Sequence, residues 1–408
     1  MALKKILSIF GTRPEAIKMA PLVKWVEADP DLESIVCVTG QHETMLQQVL
    51  DQFDITPDHR LAVMTENQTL NGLAARVLDS LDSVLDIAKP DRVLVHGDTT
   101  TASFAALAAF HRRIPVAHVE AGLRTGDLSQ PWPEEMNRRV TDVVCDLLFA
   151  PTAGAKANLE AENLQGRVIV TGNTVIDALM MTAARIDADA HLRKRLDAAL
   201  PFTSDGKPIL LVTGHRRESF GDGFHQICLA LRDIARRHAV QIVYPVHLNP
   251  NVREPVLAML QDEPNVHLIE PLDYLGFVRL MQRAAIVLTD SGGVQEEAPA
   301  LGKPVLVMRN ITERPEAVVA GTVRLVGTSR AAIGAAVSAL LGSSASSSTA
   351  LAKRPPRIVP RAANPYGDGH ASERIVAVLA GRRFTEFGAS PPVIDAPALS
   401  RAKRVSGG

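Results

Sequence analysis

The chain of 408 residues has few cysteines, few aromatic side chains and almost no net charge. Its three cysteines, Cys37, Cys145 and Cys228, are far apart, which excludes a disulfide framework or zinc knuckle and is typical of a reducing compartment. Lys plus Arg (44) nearly cancels Asp plus Glu (45), so no overall field would attract nucleic acid or a membrane surface. Any anionic ligand must therefore be held by a local site.

Long apolar runs are also missing. No stretch approaches the length of a membrane span, and residues 1–15 have too short an apolar run for a signal peptide and no small-residue cleavage site. We therefore expect a cytoplasmic protein with no membrane partner and no nucleic-acid partner. The length exceeds one ordinary core and indicates two domains.

Short β-branched runs alternate with helical stretches along most of the chain. The first set of predicted strands is Leu3–Phe10, Ser34–Thr39, Arg92–His96, Ile114–His118, Asp146–Ala150 and Arg167–Thr171. After Pro208 a second set follows: Ile209–Thr213, Val240–Pro245, Val266–Ile269, Ala285–Thr289, Pro304–Met308 and Thr322–Val326. The alternation predicts an α/β protein with two doubly wound, Rossmann-like parallel sheets, and we place the boundary around Gly172–Asp177.

Ligands of open parallel sheets bind beyond the carboxyl ends of the strands, so the breaks after the strands are the candidate sites. In the first break, Gly11 permits a tight turn and Pro14 suits a helix start, where Arg13 and Lys18 could both reach a phosphate. The break lacks a G-x-G-x-x-G pattern, which disfavours a nicotinamide dinucleotide.

Three acids follow later strands of the first half. Asp98 suits a helix N-cap and a catalytic carboxylate equally well. Glu120 lies two residues beyond a buried strand end and is harder to explain as a surface acid. Glu134 and Glu135 open a helix, where the macrodipole favours acids; that explanation suffices for Glu135 and is possible for Glu134.

The second half repeats this placement of polar residues. His215 and His247 each lie in a polar cluster after a predicted strand. The run Asp290–Glu297 reads as a strand end, a Ser-Gly-Gly turn and a helix start, whose backbone N–H groups form a nest for a diphosphate. Glu297, one turn further on, could accept hydrogen bonds from ribose hydroxyls, so the pattern favours a nucleoside diphosphate.

These motifs resemble one family, the non-hydrolysing UDP-N-acetylglucosamine 2-epimerases. The matching segments are Phe10–Lys18, Gly40–His42, His96–Thr100, His118–Asp127, Pro131–Asn137, Gly214–Ser219, Tyr244–Asn249, Thr289–Ala298, Arg314–Glu316 and Asn364–Gly369. The resemblance implies a glycosyltransferase-B type fold with the active site in the interdomain cleft, a homodimer, and no metal or redox cofactor. Its substrate would be a UDP-sugar, and its product would supply surface polysaccharide synthesis.

The resemblance also divides the chain. It implies an N-terminal Rossmann-like domain with the acid/base residues over 1–172 and a UDP-binding domain over 173–365. A helix over 366–386 would cross back to the first domain. The serine-rich composition predicts a flexible segment over 343–360, and we expect a disordered tail over 387–408.

The chemistry that the resemblance implies explains the residue types. The C2 proton of the sugar has no adjacent carbonyl, so inversion runs through anti elimination of UDP to 2-acetamidoglucal and re-addition. Elimination needs a carboxylate for the C2 proton and cations for the departing diphosphate. The implied acid/base residues are Asp98, Glu120, Glu134 and, assisting, His215. Those implied to hold UDP are Arg13, Lys18, Phe277 beside the uracil, Ser291, Gly292, Gly293, Glu297 and Arg314.

Two departures and four alternatives stay open at this point. Many bacterial members bind a second, activating UDP-N-acetylglucosamine, and the pocket for it resembles Gln41, His42, Arg216 and His247. Asn67 and Thr44 replace residues often found there, which leaves activation open, and 343–360 replaces an ordered approach to Asn364.

The alternative functions are a 2-epimerase of a UDP-2,3-diacetamido-uronic acid, a hydrolysing epimerase, a glycosyltransferase of the same fold, and a UDP-sugar-binding protein without catalysis.

Overall fold

The computed structural model describes residues 3–40, 43–65, 67–200, 206–344 and 364–388. Gln41, His42, most of the segment predicted to be flexible and most of the predicted tail lie outside these ranges. The first two residues of each of these predicted segments, 343–344 and 387–388, lie inside the described ranges. The helix before the serine-rich run continues through Ser344, and the Phe387 N–H donates a hydrogen bond to the Val170 carbonyl oxygen (2.9 Å).

The first half of the chain forms a seven-stranded parallel sheet in the order β3-β2-β1-β4-β5-β6-β7. Its elements are β1 (Lys4–Phe10), α1 (Arg13–Glu27), β2 (Leu32–Val38), α2 (Glu43–Gln52), β3 (His59–Arg60), α3 (Leu70–Ala88), β4 (Arg92–His96), α4 (Thr100–His111), β5 (Val116–Val119), α5 (Glu134–Val144), β6 (Leu147–Ala150), α6 (Ala153–Ala161) and β7 (Arg167–Val170). The six predicted strands are confirmed within two residues, and β3 was missed because two residues carry no pattern.

The second half forms a six-stranded parallel sheet in the order β10-β9-β8-β11-β12-β13. Its elements are α7 (Thr174–Ala188), α8 (Ala190–Ala198), β8 (Ile209–Thr213), α9 (Asp222–Arg237), β9 (Gln241–Pro245), α10 (Pro250–Leu260), β10 (Val266–Ile269), α11 (Tyr274–Arg283), β11 (Ile286–Thr289), α12 (Gly292–Ala300), β12 (Val305–Val307), α13 (Pro315–Val319), β13 (Val323–Leu325), α14 (Arg330–Ser344) and α15 (Ala371–Leu379). The predicted class, two doubly wound α/β sheets, is confirmed.

Both sheets reverse their strand order once, between β1 and β4 in the first and between β8 and β11 in the second. Loops diverge at such a switch point and leave a crevice at the carboxyl ends of the strands. The breaks that contain Arg13, Asp98, His215 and Ser291 follow these four strands. The topology therefore directs most candidate residues to two crevices.

The chain passes between the two sheets twice. The first passage leads from β7 into α7, which packs against α1 of the first unit and α11 and α12 of the second. The second passage leads into α15, which packs on α1 and α7. The passages touch, because the Asn173 N–H donates a hydrogen bond to the Tyr366 carbonyl oxygen (2.6 Å). Asp177 of α7 also accepts hydrogen bonds from the Ala371 and Ser372 N–H groups at the start of α15.

Within the ranges that the structure describes, every helix is too short or too polar to cross a bilayer.

Gly122, just after β5, provides a test of this packing. Its φ of +84° is in the left-handed region, and an added Cβ would lie 2.4 Å from the Ala155 carbonyl oxygen. Backbone strain and overpacking together predict that Gly122→Ala lowers the free energy of unfolding by about 2–5 kcal/mol in urea denaturation. Gly126→Ala is the matched control, because Gly126 has a φ of +83° with no atom within 4 Å of its Cβ position. Gly126→Ala should lower the free energy of unfolding by about 1–2 kcal/mol, because only backbone strain contributes. Equal losses in the two variants would contradict the packing argument.

Candidate active site

The three predicted acids share one cavity at the switch point of the first sheet. The cavity has a volume of about 380 Å³ and is lined by the breaks after β1, β4 and β5 and by the start of α5. Asp98, Glu120 and Glu134 all contribute to its wall, together with Lys18 and His96. The structure therefore brings together three carboxylates that are up to 36 residues apart in sequence.

The turn into α1 forms one side of this cavity. Thr12 caps the helix, and the buried Glu15 carboxylate accepts hydrogen bonds from the Gly11 and Thr12 N–H groups (3.0 and 2.7 Å). The Thr99 hydroxyl, which follows β4, donates to the other oxygen of Glu15 (2.6 Å). Glu15 thus connects the two loops at the switch point and fixes the direction in which α1 presents Lys18.

Glu120 is held in an unusual backbone conformation, with φ at 68°. Its Oε1 accepts hydrogen bonds from Lys18 Nζ (2.5 Å) and Asn173 Nδ2 (2.8 Å). Burial alone would raise the pKa of Glu120, but the charge of Lys18 holds that pKa well below its usual range. Glu120 is therefore an ionised carboxylate.

The contacts of Glu120 continue into the second sheet. Asn173 Nδ2 also donates to Glu296 Oε2 (2.8 Å), and Glu296 Oε1 pairs with the Arg314 guanidinium. Burial would lower the pKa of Lys18, but the charges of Glu120 and Glu296 raise it. Lys18, Glu120, Asn173, Glu296 and Arg314, here called the bridging network, thus form a continuous row of polar groups between the two units.

The other two acids have different surroundings. Asp98 Oδ2 accepts two hydrogen bonds from the Arg138 guanidinium (3.0 and 2.7 Å). Glu134, the first residue of α5, is half-buried, and no contact of its carboxylate with another described side chain is observed. Glu135 is buried and accepts from the Thr125 and Gly126 N–H groups and from Arg138, so it has the structural role that its position predicts.

His215 lies in a different cavity from the three acids. This cavity, of about 830 Å³, is lined by the loop over residues 125–131 on one side and by Arg216 and His247 on the other. The rings of His215 and His247 stack with centroids 5.6 Å apart. His215 Nδ1 lies 3.2 Å from Asp290 Oδ1, and burial of Asp290 is outweighed by His215 and two backbone N–H groups, which lower the Asp290 pKa.

The start of α12 lies beside two guanidinium groups. A Cβ added at Gly292 would be 3.7 Å from the nearest nitrogen of Arg314 and 3.8 Å from that of Arg216. Ser291 is the N-cap of α12 with no side-chain capping bond, so its hydroxyl is not used by the helix. An N-terminus with backbone N–H groups and two nearby cations is suited to bind a diphosphate.

Arg13 is not placed with the other predicted UDP ligands at α12. Its guanidinium donates a hydrogen bond to the Leu272 carbonyl oxygen of the second unit (3.3 Å). It lines a cavity of about 300 Å³ with Tyr274 at the start of α11, on which Phe277 is half-buried. Nothing in the residues around Arg13 indicates this contact across the cleft.

Glu297 is buried on α12 and accepts a hydrogen bond from the Tyr274 hydroxyl (3.1 Å). Burial raises its pKa to about 7 against the effect of that hydrogen bond, and the neighbouring Glu296 adds to the rise. A buried carboxyl group of this kind is half-ionised near neutral pH and is ready to accept hydrogen bonds from a ligand's hydroxyls.

Three residues of the site were not identified from the sequence: Arg138, Asn173 and Glu296. Arg138 looks like a solvated charge within a helix, and Asn173 looks like the N-cap of α7, which it also is. Glu296 directly precedes Glu297 and is also a glutamate, so the sequence does not distinguish the roles of the two. Among the described residues, no group of three or more His, Cys, Asp or Glu side chains is placed to hold a metal ion.

Glu297 predicts a specific pH dependence of stability. Its folded pKa of about 7 exceeds the unfolded value of 4.5, so its contribution to stability is present below pH 4.5 and is lost as pH rises to 7. The loss amounts to about 3 kcal/mol. Glu297→Gln cannot ionise, and we expect its Tm relative to the wild type to rise between pH 4.5 and 7 and then stay constant.

Glu135→Gln is the control with the opposite sign. Backbone N–H groups and Arg138 lower the pKa of Glu135 despite burial, so its contribution is present at neutral pH and is lost in acid. That variant should be destabilised most at neutral pH. Parallel pH curves for the two variants would show that the ionisation of Glu297 is not suppressed in the folded protein.

Comparisons with known proteins agree with this geometry. The family model described as UDP-N-acetylglucosamine 2-epimerase matches residues 24–380. The UDP-N-acetylglucosamine 2-epimerase of Escherichia coli K12 is 54% identical over 93% of this chain and 100% of its own length. A probable UDP-N-acetylglucosamine 2-epimerase of Ralstonia solanacearum is 56% identical over 92% of this chain and 99% of its own.

A solved structure is similar over the same extent. The crystal structure of the Neisseria meningitidis UDP-GlcNAc 2-epimerase bound to UDP-GlcNAc superposes with a TM-score of 0.82 at 48% identity, covering 93% of this chain and 100% of that one. The two-sheet arrangement is thus that of the glycosyltransferase-B type, as the resemblance implied. With a family model and relatives that span nearly its whole length, this chain belongs to the UDP-N-acetylglucosamine 2-epimerase family.

Proposed function

We propose that the protein interconverts UDP-N-acetylglucosamine and UDP-N-acetylmannosamine. The observation that carries this proposal is the placement of Asp98, Glu120 and Glu134 around one cavity, linked through the bridging network to the cationic start of α12. Acids for a carbon-bound proton and cations for a diphosphate are the two requirements of an elimination. The related N. meningitidis enzyme carries UDP-GlcNAc in its crystal structure, which supports a UDP-sugar as the substrate.

In the elimination step, a carboxylate removes the C2 proton, and the C–H electron pair forms the C1–C2 double bond. The C1–O bond breaks, and UDP leaves with that electron pair. UDP then adds back to 2-acetamidoglucal while a carboxyl group returns a proton to the other face of C2. Because the proton leaves and returns on opposite faces, at least two of the three acids must take part.

The contacts of the acids favour different roles. Glu120 is ionised, and Lys18 and Asn173 occupy its Oε1, so its Oε2 is left for a substrate proton. Asp98 is oriented by the two hydrogen bonds from Arg138. Glu134 forms no ion pair with a described residue and suits the role of the acid on the second face.

UDP would occupy the second unit. We assign the diphosphate to the start of α12, with Ser291, Gly293 and Arg314 as its ligands, and the ribose to Glu297. Arg314 would then exchange part of its pairing with Glu296 for the diphosphate. The uracil would lie at Phe277 near Arg13, and His215, oriented by Asp290, would assist from the adjacent cavity.

We also propose that the enzyme acts as a homodimer in the cytoplasm and supplies surface polysaccharide synthesis. Met136 and Val143 lie seven residues apart on one face of α5 and are exposed. The exposed Phe110 lies in the last turn of α4, which packs against α5. Exposed apolar side chains of this kind are suited to a partner copy. Light scattering should give twice the mass of 43.9 kDa; a mass of one chain would exclude the dimer.

The activity can be tested by proton NMR of UDP-N-acetylglucosamine with the purified protein in deuterated water. We expect UDP-N-acetylmannosamine with deuterium at C2, because the returning proton comes from a carboxyl group that exchanges with solvent. No cofactor is added. Absence of both a new sugar and exchange at C2 would contradict the proposal, and free N-acetylmannosamine together with UDP would indicate a hydrolysing enzyme.

Variants in the same assay test the roles of the acids. Glu120→Gln and Asp98→Asn keep the shape of each side chain and should each lower turnover by roughly a hundredfold or more, the scale of general acid/base catalysis. Arg314→Ala should mainly weaken UDP binding. A near-wild-type rate in either acid variant, with the fold intact, would exclude that residue from proton transfer.

A further inference from the structure

His96, the last residue of β4, is a buried polar residue beside Glu120. Its side chain is 3% exposed and lines the cavity of the three acids. Neither ring nitrogen has a hydrogen-bond partner among the residues that the structure describes. Buried polar groups without partners are rare and costly, so an orphaned imidazole at this position requires an explanation.

The carboxylate of Glu120, next to His96, has hydrogen bonds at only one of its two oxygens among the described residues. Both hydrogen bonds observed to Glu120 arrive at Oε1, from Lys18 and Asn173. Its Oε2 receives none from the part of the chain that the structure describes, and His96 Nε2 lies 3.6 Å away. That separation slightly exceeds a hydrogen bond, which is typical of catalytic contacts that tighten only when substrate is bound.

The charge state of His96 fits a role as a neutral donor. Burial lowers its pKa to about 3, although the charge of Glu120 opposes this. The titratable groups that act on Glu120 come from separate elements: Lys18 from α1, His96 from β4 and Arg314 before α13. A cation at position 96 would hold Glu120 more firmly as a carboxylate, whereas a neutral N–H orients Oε2 without adding charge.

We propose that His96 is a positioning residue for Glu120, donating a hydrogen bond from Nε2 to Oε2 in the substrate-bound enzyme. Glu120 Oε2 then exchanges a proton with C2 on one face of the sugar, while His96 keeps its own proton throughout. The C–H electron pair enters the C1–C2 bond, and UDP leaves with the electrons of the C1–O bond. This inference rests on the proposed epimerisation and adds the group that directs the reacting oxygen.

The test compares a variant that lacks both ring nitrogens with a variant that keeps an N–H donor. His96→Phe removes both nitrogens, and His96→Gln places an amide N–H near the position of Nε2. We expect the Phe variant to lose about 10–100-fold in kcat, within the range of general acid/base effects, with KM and UDP affinity unchanged. The Gln variant should recover most of the loss. The kinetic isotope effect on kcat with C2-deuterated substrate should increase in the Phe variant, because proton transfer becomes slower relative to the other steps.

Controls separate this inference from the proposed activity. A wild-type protein without turnover would refute the epimerisation itself, whereas an active wild type with a Phe variant within twofold of its kcat would refute only the role of His96. Equal losses in the Phe and Gln variants, or an isotope effect that decreases, would also overturn it, since both indicate altered packing. If the Phe variant does not fold by circular dichroism, His96→Leu, which is smaller and lacks nitrogen, replaces it.

Discussion

The bridging network is the interaction on which the site depends. Charges buried between two sheets would be costly if isolated, because several kcal/mol are needed to remove each ion from water. In this protein they are ordered as cation, anion, neutral amide, anion and cation, from Lys18 to Arg314. Each charge therefore has an opposite charge beside it, and the two carboxylates are separated by an amide that donates to both. The row is neutral overall and keeps the facing edges of the units together.

That arrangement also explains how the two units could act on one ligand. Glu120 belongs to the edge with the acids, and Arg314 belongs to the edge with the α12 N-terminus. A diphosphate near Arg314 would compete with Glu296 for the guanidinium, and Glu296 shares the amide of Asn173 with Glu120. Under the proposed function, diphosphate binding at Arg314 and the electrostatics around Glu120 would therefore be linked through two side chains, Glu296 and Asn173.

Much of the fold could be predicted from the sequence, because strands buried on both faces form continuous apolar runs that are bounded by glycine and polar residues. The carboxyl ends of those strands also indicated the acids, since Asp98 and Glu120 directly follow such runs. What could not be predicted were the partners. Asn173 pairs with residues 53 and 123 positions away, and nothing in its own surroundings distinguishes it from an ordinary N-cap. From the sequence, His96 is only the end of a predicted strand, since the absence of a hydrogen-bond partner is a property of three-dimensional packing.

The two passages of chain between the sheets have a mechanical consequence. The passages at Asn173 and Tyr366 are hydrogen-bonded to each other. We therefore expect them to act as one axis for rotation of the two sheets and not as two independent connections. Gly172 and Gly367 lie side by side on this axis, where an added Cβ on Gly172 would come within 3.3 Å of the Gly367 Cα. A single axis permits the two sheets to rotate relative to each other but resists the translation of one sheet along the other. The bridging network lies next to this axis. We therefore expect the distance between Glu120 and Arg314 to change little when rotation about the axis moves the outer rims of the cleft.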